Sequence, residues 1–189
     1  MSFRADNLTP TVDHHATEQA KSLLAALRPR LHGEARFALY TRTMYSTDAS
    51  IYKVLPVGAV LPRTNEDVHA TLAIAREFNV PIIARGGGSS LEGQTTGAAL
   101  IIDFSKYMHR VLDVDAEART AKVQPGLVLD SLNRHLAPLG LMYGPDPASS
   151  NRATFGGMIG NNSTGAHSIL YGMTHDHVKA CLLYTSRCV

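Results

Sequence analysis

The pattern of hydrophobic and polar residues near the start of the chain predicts one helix followed by irregular chain. Leucine and alanine recur there at helical spacing, so we expect a helix that is capped by Thr17 and ended by Pro29 and Gly33. Residues 1–15 lack this pattern and are interpreted as a loose arm. Residues 40–53 show no clear period and are predicted to form an ordered loop.

Beyond residue 54 the pattern becomes regular. Short apolar runs predict five strands, at residues 57–61, 80–84, 98–103, 110–115 and 120–124. The last two are joined by a four-residue turn, which predicts an antiparallel hairpin. Thr64 to Asp67 matches a capping box, with Asp in place of Glu, and opens a helix that Asn79 ends. Leucines between residues 127 and 136 mark another helix. Because helices and strands do not alternate strictly, the fold class is α+β rather than doubly wound α/β.

Composition and charge narrow the class of protein. Hydrophobic residues make up 44% and charged residues 18%, which is typical of a globular domain. The net charge is only +2, with no run of five like charges, so we expect no nucleic-acid partner. No apolar stretch approaches the ~20 residues of a transmembrane helix, and the N-terminus lacks the apolar core of a signal peptide. We expect a cytoplasmic location, with peripheral contact at the inner face of the membrane left open.

Both cysteines lie in the last nine residues, at Cys181 and Cys188. Neither a disulfide framework nor a cysteine-ligated cluster can therefore form within residues 1–180. The segment that begins at Cys181 can be encoded by DNA resembling the transposon end used to prepare sequencing libraries. We therefore expect residues 181–189 to be non-native and the natural protein to continue past Ala180, although a native strand is the alternative. The predicted organisation is an N-terminal helix and arm over residues 1–53 and a binding domain over residues 54–180 that is incomplete at its C-terminus.

A glycine-rich turn follows the second predicted strand. It comprises residues 84–90, and its three glycines remove every Cβ atom and permit positive φ, so that backbone N–H groups can converge on an anion. Only Arg85 and Glu92 are charged between residues 84 and 97, so a diphosphate would be held mainly by neutral dipoles. A plain flexible turn is the alternative.

Two common nucleotide-binding motifs do not fit this turn. A Walker A loop needs Gly-Lys-Ser/Thr, which is absent from the sequence. A Rossmann turn needs a helix directly after the glycines, whereas residues 91–97 contain two glycines and two threonines and are a poor helix.

A second segment, residues 144–172, is rich in small and amide residues. It cannot build a core alone, so a ligand or neighbouring backbone must lie beside it. Gly156 to Gly160 could begin a short helix whose N-terminus faces an anion, and residues 161–164 supply side-chain donors and acceptors. The alternative is a long disordered loop, which is uncommon inside a compact domain.

Together these segments resemble the FAD domain of the vanillyl-alcohol oxidase / p-cresol methylhydroxylase superfamily. The resemblance rests on residues 84–90 with 94–97, on residues 145–147 and on residues 155–162. The closest branch is that of FAD-linked D-lactate dehydrogenases and the flavin subunit of glycolate oxidase. Residues 45–50 and 60–62 also fit this branch, so the resemblance covers about residues 40 to 180.

The resemblance implies an FAD site. The residues around the diphosphate, together with the nearby Gln94, are Ala84, Arg85, Gly86, Gly87, Gly88, Ser89 and Ser90. The residues implied along the ribityl and flavin side are Pro145, Asp146, Thr154, Gly156, Gly157, Gly160, Asn161, Ser163, Gly165 and Ala166. Covalent members carry a histidine where this sequence has Ser89, so we expect non-covalent FAD.

The resemblance also implies an oxidoreductase that oxidises a 2-hydroxy acid such as D-lactate or glycolate and passes electrons to an iron–sulfur centre or a quinone. The family's substrate domain follows the FAD domain, so no catalytic residue is assigned here and this fragment alone is expected to be inactive. One alternative is a non-catalytic FAD-binding subunit of a larger complex. Another is a sibling flavoenzyme that acts on an aryl alcohol or a sugar lactone.

Several other residues allow two interpretations. His175 and His177 could ligate a metal, but a solvated loop is the favoured interpretation and no metal site is predicted. Tyr143 and Tyr171 could stack on a flavin or pack in the protein. Two arginines, Arg42 and Arg152, could reach a phosphate or lie on the surface.

Overall fold

The structure is a computed structural model that describes residues 14–181. Its first helix, α1, spans His14–Leu27 and therefore begins before Thr17, so the predicted cap was wrong. Thr17 continues the helix instead, because threonine is only a weak helix breaker. A short 3-10 turn at Arg28–Arg30, which contains Pro29, ends it as predicted. Residues 1–13 of the predicted arm and residues 182–189 of the predicted tail lie outside the described residues.

A four-stranded sheet forms the centre of the fold. Its strands are β1 (Glu34–Arg36), β2 (Gly58–Leu61), β3 (Ile82–Arg85) and β4 (Leu100–Asp103), in the order β1-β2-β4-β3. Strands β2, β4 and β3 are parallel, and β1 pairs antiparallel with β2 at the edge. All the parallel strands therefore end at the same edge of the sheet, where the glycine-rich turn begins. The mixed sheet confirms the predicted α+β class.

Two elements near the N-terminus were not predicted. Strand β1 is only three residues long and includes Glu34 and Arg36, so it carries no hydrophobic pattern. Helix α2, Leu39–Met44, occupies the start of the segment predicted as a loop, so the loop prediction was wrong there. Thr41 is its only buried residue, which explains why no apolar stripe marks it.

Helix α3, Asn65–Glu77, begins with the predicted capping box. The N–H of Asp67 donates to the Thr64 hydroxyl, and the N–H of Thr64 donates to the Asp67 carboxylate. That carboxylate is buried and also accepts the N–H groups of His32 and Arg63. The cap therefore also fastens the chain before β1 to the start of α3. Asn79 follows the helix with φ of 51°, as its predicted role as a terminator requires.

Helices α1 and α3 pack on one face of the sheet. Leu23 and Leu27 of α1 form a buried cluster with Val60, Ile74 and Leu100. The N-terminal helix therefore shares the core of the sheet rather than lying apart from it.

A second cluster of buried residues is formed by the chain after the sheet, within residues 127–158. The predicted hairpin is present as β5 (Val111–Asp115) and β6 (Thr120–Val123). The later helices are α4 (Leu129–Leu136), α5 (Phe155–Asn161) and α6 (Ser168–Tyr171), followed by a 3-10 turn at Thr174–His177. Leucines of α4 pack against Phe155 and Met158 of α5. Among the helices within residues 14–181, none has the length and apolar character needed to cross a bilayer.

Candidate cofactor site

The glycine-rich turn leaves the sheet at the end of β3. Arg85 is the last residue of β3 and lies beside Asp103, the last residue of β4. The turn therefore projects from the carboxyl edge of the parallel strands, where open α/β sheets commonly bind ligands.

The turn packs directly against the second segment. A Cβ atom on Gly86 would overlap the hydroxyl of Thr154, and one on Gly87 would overlap the carbonyl oxygen of Arg152. Glycine is thus required at both positions by close approach of two chain segments. Only Gly88, with φ of 64°, uses positive φ, so the expectation that the glycines serve φ freedom holds for one of the three.

The turn leaves a run of main-chain donors available. Within residues 14–181, the N–H groups of residues 86–90 donate to no protein acceptor. Of these residues Gly87 is exposed, and the others are half-buried. Unpaired N–H groups at a half-buried position are costly unless water or a ligand accepts their hydrogen bonds. Such a run of neutral donors suits the oxygens of a phosphate group.

Thr154 lies at the seam between the two segments. Its backbone forms a β-bridge with Val128, which fixes its position just before α5. Its hydroxyl is buried and has no hydrogen-bond partner among the described residues. This oxygen lies between Gly86 and Gly157, since a Cβ on Gly157 would be 3.3 Å from it. The hydroxyl is therefore an unsatisfied polar atom at the place where the two glycine-rich segments meet.

The remaining predicted residues of the second segment form two further groups. In the first, the carbonyl oxygen of Asp146 accepts the N–H of Ala166 at 3.1 Å. A Cβ on Gly165 would overlap that carbonyl and the one of Pro145, so Gly165 is also required by close approach. The Asp146 carboxylate lies 3.5 Å from Nδ1 of His167. Residues 145–146 and 165–166 therefore lie side by side.

The second group follows α5. The carbonyl of Ser163 accepts the hydroxyl of Thr174 at 2.7 Å, and Asn162 accepts the N–H of His175. Asn161 and Gly160 are exposed, and no atom lies within 4 Å of a Cβ placed on Gly160. The predicted short helix around Gly156 is present, with Gly156 held by a hydrogen bond from its N–H to the carbonyl of Pro125.

The side chain of Arg85 is engaged by backbone carbonyls and packs beside Gly88. Its guanidinium donates to the carbonyl oxygens of Thr47, Thr95 and Tyr45, at 2.7, 3.3 and 3.4 Å. Ser90 donates to Gln94, which also accepts the N–H of Glu92. The direct contact of these side chains with a cofactor stays a prediction.

The two tyrosines and two arginines that the sequence left open contact other parts of the protein. Tyr143 packs edge to face on Phe155, and Tyr171 packs against His167 on the surface. Arg42 donates to the carbonyl of Pro56. Arg152 is exposed, with its carbonyl facing Gly87.

The histidine pair lies in the 3-10 turn after α6. His175 contacts Asn162, and His177 contacts the carbonyl of Tyr171. Within residues 14–181, no group of three His, Cys, Asp or Glu side chains is placed to hold a metal ion.

Sequence reasoning from pattern alone missed residues 45–50. Their carbonyls accept from Arg85, and Asp48 accepts from Thr95 behind the glycine turn. The segment has no period and no glycine run, so only its family resemblance marked it.

Comparison with known proteins identifies the family of this chain. Residues 56–187 match the FAD binding domain family. D-2-hydroxyglutarate dehydrogenase from Pantoea ananatis (strain AJ13355) is 38% identical over 77% of this chain and 15% of its own length. Glycolate oxidase subunit GlcD from Bacillus subtilis (strain 168) is 39% identical over 72% of this chain and 30% of its own length. The chain thus spans less than a third of either relative.

Solved structures show the same fold. Alkyldihydroxyacetonephosphate synthase matches with a TM-score of 0.70 and 29% identity, over 85% of this chain and 34% of that chain. p-Cresol methylhydroxylase matches with a TM-score of 0.60 and 21% identity, over 79% of this chain and 29% of that chain.

The fold and the site define a flavoprotein domain of the p-cresol methylhydroxylase type. The chain belongs to the FAD binding domain family, and its sequence relatives include D-2-hydroxyglutarate dehydrogenase and the GlcD subunit of glycolate oxidase. FAD is therefore the cofactor of this domain.

Proposed function

We propose that this chain is the FAD-binding part of an oxidoreductase that oxidises a 2-hydroxy acid, and that its two glycine-rich segments hold the cofactor without a covalent bond. The observation that carries the proposal is the seam at which residues 86–87 pack on residues 152–154 beside a run of unpaired N–H groups.

The diphosphate is assigned to the glycine turn. Its N–H groups supply donors, and the hydroxyls of Ser89 and Ser90 add two more. Because the Arg85 guanidinium is engaged by three carbonyls, the site binds phosphate oxygens through neutral dipoles rather than through that cation. The buried Thr154 hydroxyl fits the same assignment, since it is a polar atom at the seam with no protein partner.

The second segment is assigned to the ribityl and flavin side. Residues 145–146 approach residues 165–166 so closely that only glycine fits at position 165. When bound, FAD supplies a two-electron acceptor for oxidation of the substrate C–H bond. The residues of this chain bind and orient that group, while the residues that hold the substrate are assigned to the part of the protein beyond this chain.

One observation supports the proposed substrate class, and another supports non-covalent binding of FAD. The names of both relatives describe oxidation of a 2-hydroxy acid, namely D-2-hydroxyglutarate and glycolate. Ser89 stands where covalent members of the resembling family have histidine, and residues 84–97 contain no histidine, so this loop offers no attachment point.

The cofactor proposal is tested by titration of the purified chain with FAD. We expect quenching of flavin fluorescence and a bound flavin spectrum, with Lys122→Ala on the exposed hairpin as a control that binds equally well. Protein that takes up no FAD contradicts the proposal. After acid precipitation the flavin should remain in the supernatant, and flavin in the pellet contradicts non-covalent binding.

The substrate proposal is tested on a full-length protein that contains this chain. Reduction of an artificial electron acceptor should follow addition of a 2-hydroxy acid, and D-2-hydroxyglutarate, glycolate and D-lactate distinguish the candidates. A holoprotein that binds FAD but oxidises none of them is instead the non-catalytic FAD-binding subunit, whose electron acceptor would be a partner centre.

A further inference from the structure

We propose that residues 45–50, here called the clasp segment, position the glycine turn for cofactor binding, and that Arg85 and Asp48 are the two positioning side chains. This inference rests on the proposed FAD site and adds to it the residues that hold the turn from behind.

Arg85 joins the end of β3 to the clasp segment. Its guanidinium donates to carbonyl oxygens of Tyr45 and Thr47 in the segment and of Thr95 beyond the turn. It also lies 5.4 Å from the centre of the Tyr45 ring. A planar fork of donors can bind three carbonyls at once, whereas a lysine ammonium on the same path cannot reproduce this geometry.

Asp48 makes the second connection. Its carboxylate accepts the hydroxyl of Thr95 at 3.0 Å, the N–H of Thr95 at 3.4 Å and the N–H of Ser50 at 2.9 Å. Partial burial works against the charged form, but the hydrogen bonds from Ser50 and Thr95 outweigh it and hold the pKa of Asp48 below its usual value. The carboxylate therefore ties both the clasp segment and the chain after the turn to one point.

The backbone completes the contact. The N–H of Ala49 donates to the carbonyl of Gly88 at 3.1 Å, in the middle of the glycine turn. The clasp segment is itself closed, since Thr47 bridges Lys53 and the N–H of Val54 donates to Ser46. Its first residue is anchored to the sheet, because the Tyr45 hydroxyl donates to Asp103 at 2.5 Å.

The glycine turn is therefore held from two sides. Residues 152–154 pack on Gly86 and Gly87, while the clasp segment binds the carbonyl of Gly88. These contacts on both sides restrict the backbone conformation of the turn, and with it the directions of the N–H groups of residues 86–90. A preorganised set of donors binds an anion more tightly because less order is lost on binding.

Substitutions can distinguish whether Arg85 supports FAD binding by holding the glycine turn or by its positive charge. If Arg85 served the diphosphate as a cation, Arg85→Lys would retain most of the FAD affinity. If Arg85 acts through its three carbonyl contacts, the lysine variant loses them. Asp48→Asn keeps the size of the side chain and removes its charge. The matched control is Arg134→Lys on α4, an exposed arginine far along the chain from the site whose bonds are local.

The experiment measures two quantities on the chain and its variants. Amide hydrogen exchange at Ala49 reports opening of the clasp without FAD, and flavin fluorescence gives the Kd for FAD. We expect exchange at Ala49 and the Kd both to rise about tenfold or more in Arg85→Lys and Asp48→Asn. Thermal unfolding should stay cooperative, and Arg134→Lys should match the parent in both quantities.

Each other outcome overturns part of the reasoning. Unchanged exchange at Ala49 refutes the clasp, and faster exchange with an unchanged Kd refutes its role in cofactor binding. An Arg85→Lys variant that binds FAD normally while Arg85→Met does not assigns Arg85 to the phosphate directly. If Arg85→Lys does not fold, Asp48→Asn decides the question. A parent chain that takes up no FAD refutes the proposed function, while exchange at Ala49 still decides whether the clasp exists.

Discussion

The packing of Gly86 against Thr154 makes a sharp prediction for the variant Gly86→Ala. The new Cβ would overlap the Thr154 hydroxyl and lie 3.0 Å from the Thr154 Cβ. Thr154 is only 2% exposed, so its side chain cannot swing into solvent. Overpacking of this kind costs about 1–3 kcal/mol. If the overlap is relieved by separation of the glycine turn from residues 152–154, FAD binding weakens by the same energy and its Kd should rise about 5-fold to 150-fold.

A second substitution at Thr154 tests whether the overlap is the cause. Thr154→Ala removes the hydroxyl and the methyl group but keeps the Cβ. In the double variant the new Cβ at position 86 therefore meets only the Cβ at position 154, at 3.0 Å, which a shift of a few tenths of an ångström relieves. We expect Gly86→Ala to cost about tenfold less affinity in the Thr154→Ala background than in the parent, which a double-mutant cycle of FAD Kd values measures.

Gly87→Ala supplies the contrast. Its Cβ would overlap the carbonyl oxygen of Arg152, which is backbone, so no side-chain substitution relieves it. Arg152→Ala should therefore leave the effect of Gly87→Ala unchanged. A Gly86→Ala variant that binds FAD as tightly as the parent contradicts the overlap, and so does a Thr154→Ala substitution that rescues neither or both of the glycine variants.

Three further outcomes follow from single contacts. Thr154→Val replaces a buried hydroxyl that has no partner, so urea unfolding should show about 1 kcal/mol of added stability, and a loss would mean that the hydroxyl is satisfied. Gly160 lies in α5 with open space around it, so Gly160→Ala should increase the free energy of unfolding by about 0.5–1 kcal/mol and raise the melting temperature. If this variant binds FAD with an unchanged Kd, Gly160 is not one of the cofactor contacts. Hydrogen bonds from Lys106 and Tyr107 lower the pKa of Glu34 from 4.5 to about 2, so its stabilising effect is present above pH 4.5 and is lost as the pH falls towards 2. Because Lys106 is 39% and Arg36 44% exposed, solvent screening leaves about 1 kcal/mol, and Glu34→Gln should flatten the acid side of the stability curve by that amount.

The parts of the fold that the sequence predicted are those whose signals are local. The Thr64–Asp67 cap, the hairpin and the helix at Gly156 are each specified by a few neighbouring residues. Strand β1 was missed because three residues with two charges form a strand only by pairing with β2. The order of the parallel strands was also beyond the sequence, since it depends on contacts between residues far apart in the chain.

In the candidate site too, the sequence identified local features but not the contacts between distant residues. Composition alone identified both glycine-rich segments, because stretches that lack side chains need another chain or a ligand beside them. It could not show that Gly86 and Gly87 are glycines because Thr154 and Arg152 lie against them. Nor could it show that Arg85 turns back to carbonyls of residues 45–47, since a lone arginine beside three glycines predicts an anion contact just as well.

The engagement of Arg85 leads to a last prediction, on salt. Between residues 84 and 97 the charged residues are Arg85, whose guanidinium binds carbonyls, and Glu92, which is exposed. A diphosphate held there meets main-chain dipoles, and short-range hydrogen bonds at half-buried donors are screened little by ions. The FAD Kd should therefore change by less than about threefold between about 0.05 M and about 0.5 M sodium chloride. Arg152 is the one nearby arginine with an exposed side chain among residues 84–97 and 145–166, so a strong salt dependence that disappears in Arg152→Ala would assign the phosphate to that cation and contradict the neutral site.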